Sequence, residues 1–246
     1  MDLDTGTSMR RLARMAGGLY LFNIVLGAFA IGVVPAMIVV SGDAVATAHN
    51  IQAHELVYRL GIAAHAIVVM TNVGLAIIFY DLFKVVNRRL ALVVVLGSVL
   101  GTAVEASNLV NLFAPLALLS GGPYSGALTS AQVAAASYLT LDLQGLSYNV
   151  NALFFGVYAL AIGYLIYRST FMPRAIGVLM AIDGVGYLAF TFADFIAPGF
   201  AAHLVPWIQL PTLIGEGSLC VWLLAAGVNP AKWDQVSTMR LQHEAV

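Results

Sequence analysis

Apolar residues run along the chain in six long blocks, at about residues 16–40, 54–82, 90–119, 143–167, 174–197 and 207–227. Each block is long enough to cross a hydrocarbon layer of about 30 Å, which takes roughly 20 residues of helix. Turn chemistry separates them: "SGD" after the first, "NRR" after the second, "SGGPYSG" after the third, "STFMPR" after the fourth and "APG" after the fifth. Read as one helix, residues 129–167 would be about 58 Å long, too long for a single span. "TSAQVAAASYLTL" is therefore expected to form a short surface helix that feeds the fourth span near Gly145. The opening "MRRLARMAGG" has the basic start of a signal peptide. Its apolar run continues far past the roughly 7–15 residues of a signal h-region, and no A-x-A site closes it. The pattern predicts an all-α bundle of six transmembrane helices: a segment 1–15, a membrane domain 16–228 and a tail 229–246.

Composition agrees. The chain is 61% hydrophobic and 9% charged, with a mean hydropathy of +0.90, whereas soluble domains are about a quarter charged. A net charge of −1 without long basic runs gives no footprint for nucleic acid. Cys220, the single cysteine, lies in an apolar run and reads as a small buried hydrophobe. Charge also gives a direction. Arg10, Arg11, Arg14, Lys84, Arg88, Arg89, Arg168, Arg174, Lys232 and Arg240 all fall on one side of a six-span path, and the opposite loops hold no lysine or arginine. The excess of basic residues on the inner side predicts both termini in the cytoplasm. Arg59 is the exception.

Inside the spans, polar residues fall on helical faces. In the second, His54, Tyr58, Gly61, His65 and Asn72 recur at spacings that return to one face, and Glu55 precedes Arg59 by four residues, the favourable order for an ion pair. The third carries Ser98, Thr102, Glu105 and Asn108; the fourth Asp142 with Asn149; the fifth Asp183, Tyr187 and Asp194; the sixth Gln209, Thr212, Glu216 and Cys220. A carboxylate at mid-membrane costs about 2.5–3.5 kcal/mol on insertion scales, so such residues face the bundle interior or water. Glu105, Asp183 and Glu216 have only His65 and the shallower Arg59 as cationic partners in the membrane. At least one of the three carboxyls is therefore expected to keep its proton at neutral pH, the condition for proton handling or acid catalysis. The structural reading of each is an interhelical hydrogen bond; for Glu55–Arg59 it is an arginine that snorkels to the surface.

Several chemistries are excluded by their missing residues. A retinal-type Schiff base needs a mid-span lysine, and Lys84 and Lys232 lie at the span ends. There is no H-E-x-x-H motif and no Walker-type glycine loop. His49, His54 and His65 fit no standard metal spacing, so no metal and no cofactor is expected. "GSVLG" at 97–101 reads as a close helix crossing, and Tyr124, Trp207 and Trp233 as interfacial anchors. No repeat of 20–50 residues is evident, which argues against an inverted-repeat transporter fold.

Three segments, "NIQAHELVYRLGI" (50–62), "NALFFGVYALAIGYLIYRSTFMPRAIGVLMAIDGVGYL" (151–188) and "LIGEGSLCVWLLAAGVN" (213–229), together with "RLARMAGGLYL" near the start, resemble an uncharacterised bacterial family of polytopic membrane proteins, domain of unknown function 4386. Asn50, Arg59, Gly156, Pro173, Arg174, Gly177 and Glu216 carry the resemblance; Asp183 stands where that pattern has a small or apolar residue. The resemblance implies a compact helical bundle in a bacterial cytoplasmic membrane and brings no activity with it.

Three functions are compatible with these residues. In the first, a polar cavity open to the outer face binds a small molecule or couples its transport to protons. Its mouth would hold His54, Arg59, Asn108, Asn111, Asp142, Asp194 and Gln209, and its floor His65, Glu105 and Glu216. In the second, an intramembrane enzyme acts on a lipid or isoprenoid-like substrate with Glu105 or Glu216 as acid and His65 as base. The third is a non-catalytic accessory subunit whose polar faces fix helix packing. The bilayer is the partner common to all.

Overall fold

The computed structural model describes residues 5–122, 126–205 and 207–244. It is all-helical among these residues, and six helices are long and apolar enough to cross a membrane. The first span comprises α1 (Thr5–Gly27), a π-helical stretch (Ala28–Val33) and α2 (Val34–Ile38). Pro35 explains the interruption: it offers no N–H to the carbonyl one turn back and its ring crowds that carbonyl, which the wider π turn relieves. The surface helix α3 (Ala44–Ala53) follows the Gly42 turn, where φ is +78°, and is N-capped by Asp43, whose carboxylate accepts the Ala46 N–H at 2.9 Å. His54 ends α3, and α4 (Glu55–Phe83) and α5 (Arg88–Leu119) form the second and third spans.

The short surface helix expected before the fourth span is not separate. Residues Ser130–Ser169 make one helix, α6, of 40 residues. Its leading part, rich in alanine and leucine, continues the helix without a breaker, and Gly145 costs only about 1 kcal/mol relative to alanine, too little to interrupt a helix of this length. At about 60 Å, α6 is twice the hydrocarbon thickness, so one end stands outside it. The remaining elements are α7 (Arg174–Ile196), α8 (Pro198–Leu204), a 3-10 turn (Trp207–Gln209), α9 (Leu210–Ala225) and α10 (Pro230–Glu244).

The chain divides into two compact units. The first comprises Met1–Phe22, Asn72–Gly101 and Asn151–Val246. Its core holds Phe79, Leu82, Phe83, Ile162, Leu165, Ile166, Met180, Leu219 and Leu223, all essentially inaccessible. Lipid is as apolar as these side chains, so close packing rather than water exclusion holds such helices together. Glycines supply the closeness. A Cβ on Gly163 would lie 2.7 Å from the Gly177 carbonyl oxygen and one on Gly184 would lie 2.8 Å from that of Gly156, so α6 and α7 cross with backbones in contact. The "GSVLG" glycines act likewise: Gly97 packs on Tyr158 and Gly101 on Asn151 and Phe155. Arg10 and Arg14 close the end of α9, donating to the Ala226 and Leu224 carbonyls at 3.2 and 3.0 Å.

Trp233, expected as an interfacial anchor, is instead buried in this unit, where α10 brings its indole N–H to the Leu82 carbonyl at 3.0 Å. That carbonyl lies in the last turn of α4 and has no partner within its own helix. Trp207 is largely exposed, and Tyr124 lies outside the described residues.

The second unit comprises Asn23–Thr71 and Thr102–Val150. Val34, Ile38, Ile51, Tyr58 and Ile62 form its apolar core. Asn50 donates to the Ile38 carbonyl at 3.1 Å and so completes the end of the first span. Large apolar side chains such as Met70, Leu56 and Val110 point outward with about 70% of their surface accessible, a distribution suited to hydrocarbon and not to water.

Candidate functional site

In the second unit, α4 and α5 run antiparallel in a constant register. Tyr58 donates its hydroxyl to the Leu112 carbonyl at 2.8 Å, and two turns further along α4 the Nε2 of His65 meets the Oε1 of Glu105 at 2.6 Å. Both partners of that contact are buried, with 3% and 8% of the side chains accessible. Helical periodicity puts Ser98, Thr102, Glu105 and Asn108 on one face, and all four are buried. Asn108 uses its amide to donate to the Gln144 carbonyl of α6 at 3.0 Å and accepts from Asn111 at 2.9 Å. The His65–Glu105 contact is either a neutral hydrogen bond or an ion pair, and one proton decides which.

A cavity of about 140 Å³ lies in the same unit, walled by residues that include Val34, Ile38, Ile62 and Leu112, with Tyr58, Asp142 and Gln144 as polar members. Gly61 also lines it, one turn along α4 from His65. The π-helical stretch reaches it through Ala30, and Pro35 contributes to the wall.

The other sequence-selected residues of this unit lie on its surface. Arg59 is paired with Glu55 at 2.7 Å, both more than half exposed, an arrangement worth a few tenths of a kcal/mol. His54 is exposed, because it terminates α3 and does not extend the α4 face.

Glu216, Asp183, Asp194 and Gln209 belong to the first unit. Glu216, on α9, is half-buried and accepts the Tyr187 hydroxyl at 3.2 Å. The hydroxyl of Tyr20 faces the same carboxyl, and Asp183 is close enough for the two charges to interact. Asp183 itself is fully inaccessible. Neither of its oxygens has a partner in hydrogen-bonding geometry among the described residues; Thr212 is the side-chain donor facing it. Gly215 makes the approach possible, since a Cβ there would stand 3.0 Å from that of Asp183. A Cβ on Gly217 would meet nothing within 4 Å. Asp194 is half-buried and Gln209 exposed.

Tyr20 and Tyr158, both buried, were not singled out by sequence. Their signal was position: a tyrosine in mid-span cannot reach the interface and needs an internal partner. Among the described residues, no three His, Cys, Asp or Glu side chains gather as a metal site.

Comparison with known proteins agrees with a chain of this kind. The model of the family described as domain of unknown function (DUF4386) matches residues 15–227. An uncharacterized protein of Archaeoglobus fulgidus is 24% identical over 161 residues, covering 65% of this chain and 80% of the relative. No solved structure matches.

Proposed function

Since the chain belongs to the DUF4386 family, whose description carries no activity, we propose from its geometry that it binds a small molecule in the membrane and couples that binding, or transport of the ligand, to a proton. The observation that carries this reading is the buried His65–Glu105 contact on the same helix faces as the cavity. Hydrogen-bonding partners for a ligand are at hand in Tyr58, Asp142 and Gln144, with His65 one turn along α4 from the wall residue Gly61 and Glu105 two turns along α5 from Leu112. A volume near 140 Å³ is below the roughly 300–1,000 Å³ of drug-sized sites and holds about five waters' worth of space. The ligand class is therefore small, with few heavy atoms and an apolar side. In this reading the cavity opens to the outer face of a bacterial cytoplasmic membrane, with both chain termini inside.

The test uses purified protein in liposomes that enclose a pH-reporting dye, challenged with a panel of small acids, amines and neutral solutes. A ligand-dependent proton signal is expected, lost in Glu105→Gln while thermal unfolding stays close to that of the parent. Identical proton signals from both proteins across pH 5–8 would remove Glu105 from the mechanism.

A second reading rests on the other unit. Glu216, half-buried beside a fully buried Asp183, places two carboxyls in unlike surroundings, as acid–base chemistry on a lipid-soluble substrate requires.

A further inference from the structure

A second, larger cavity, of about 440 Å³, lies in the first unit where α6 ends. Its volume falls within the usual range for ligand sites. Arg168, Lys232 and Gln235 supply its polar wall and Val86, Val236 and Met239 its apolar one. No carboxylate lines it, and among the described residues neither Arg168 nor Lys232 is engaged in an ion pair. Two unpaired cations that face a common space raise its potential and favour an anion there.

The backbone at the site is also unusual. Thr170, another wall residue, has φ of +58°, the one non-glycine residue with positive φ among those described. A β-branched residue pays in strain for that conformation, which persists only where its surroundings enforce it. The strained turn lets α6 stop at Ser169 and leaves Arg168 beside the first turns of α10. Val86 lies between α4 and α5 and Thr170 between α6 and α7, four helices long and apolar enough to span, so in a bilayer the cavity falls near the membrane–water boundary, where an amphiphile presents its headgroup.

We propose that this cavity is a binding site for the phosphate group of an anionic amphiphile, with the phosphate on Arg168 and Lys232 and the first hydrocarbon segments on Val86, Val236 and Met239. Arginine suits a phosphate through its forked donors, and lysine adds a mobile point charge. Membrane lipid is the source that matches both walls; a soluble phosphate ester would use the polar wall alone.

Full-length protein in nanodiscs of phosphatidylcholine with a minority of phosphatidylglycerol tests this by native mass spectrometry of the lipid retained. Retention should favour phosphatidylglycerol by about thirtyfold, on the basis of two cations each worth roughly a factor of five near an anionic headgroup. The double variant Arg168→Gln/Lys232→Gln should lose the preference, and Arg168→Lys/Lys232→Arg should keep most of it, which separates loss of charge from loss of fold. Millimolar glycerol 1-phosphate provides the other arm. Displacement of the lipid by it, absent in the glutamine variant, would keep the anion site and make its source soluble; failure to displace would assign the site to lipid. Equal retention of the two lipids by the parent protein, or an undiminished preference in the glutamine variant, would overturn the proposal.

Discussion

Glu216 shows what one carboxyl can be asked to do in a membrane. Tyr187 gives it a hydrogen bond at 3.2 Å, and it is only half-buried. A glutamine preserves an oxygen that accepts from Tyr187, so Glu216→Gln should unfold within about 1 kcal/mol of the parent. Glu216→Leu removes the acceptor that the Tyr187 hydroxyl uses and should cost about 1–3 kcal/mol, read from thermal unfolding in detergent. If Glu216 carries a proton in the chemistry, the glutamine variant is stable and loses its proton or ligand response; a stable and fully responsive variant would return this side chain to packing. At this scale much was readable. A period near 3.6 identified the buried faces of Ser98, Thr102, Glu105 and Asn108, and a four-residue spacing identified the Glu55–Arg59 pair. Periodicity gives the face of a helix and not the helix opposite, so that His65 meets Glu105 while Glu216 keeps company with Asp183 and Tyr187 had to come from the fold.

Among the elements, the crossing of α6 and α7 is the one most dependent on the absence of side chains. Gly156 and Gly163 face Gly184 and Gly177 at matching seven-residue intervals. Gly177→Val forces a branched side chain against the backbone of Gly163 and Tyr167 and should cost about 2–3 kcal/mol. Gly18, which meets nothing within 4 Å, provides the contrast: Gly18→Ala should gain about 0.5–1 kcal/mol from the lower helix propensity of glycine. Unfolding of both variants in sodium dodecyl sulfate measures the difference, and equal effects would remove the crossing from the account of stability. Hydropathy located the second, third, fifth and sixth spans to within about two residues, because length and apolarity are set by the bilayer itself, whereas α1 starts at Thr5, well before the expected residue 16, since its polar first turns are helical without being apolar. It divided α6 near Gly145 on the premise that a helix should match the membrane, a constraint that does not bind a helix free to project from it. Nor did it foresee α3, whose ten residues are too short and too polar to register as a span, although Asp43 marks the start.

At the level of the whole molecule, the asymmetry of basic residues gives a testable orientation. A reporter fused after Val246 should read as cytoplasmic and one inserted at Gly122 as external, by protease accessibility in spheroplasts; the reverse pattern would invert the proposed cavity. The arginines behind this expectation have a second task, since Arg10 and Arg14 close the last turn of α9 through its carbonyls, which neutral replacements would leave to water. The contact between Trp233 and the Leu82 carbonyl bears on how the protein is made. During translation α4 enters the membrane early, and its final turn then waits, with that carbonyl exposed, while four further membrane helices are synthesised. Only when α10 leaves the ribosome is the turn sealed. A chain cut short after the sixth span would therefore carry all six of these spans and still leave the end of α4 open, a gap that α10 closes from outside the spans.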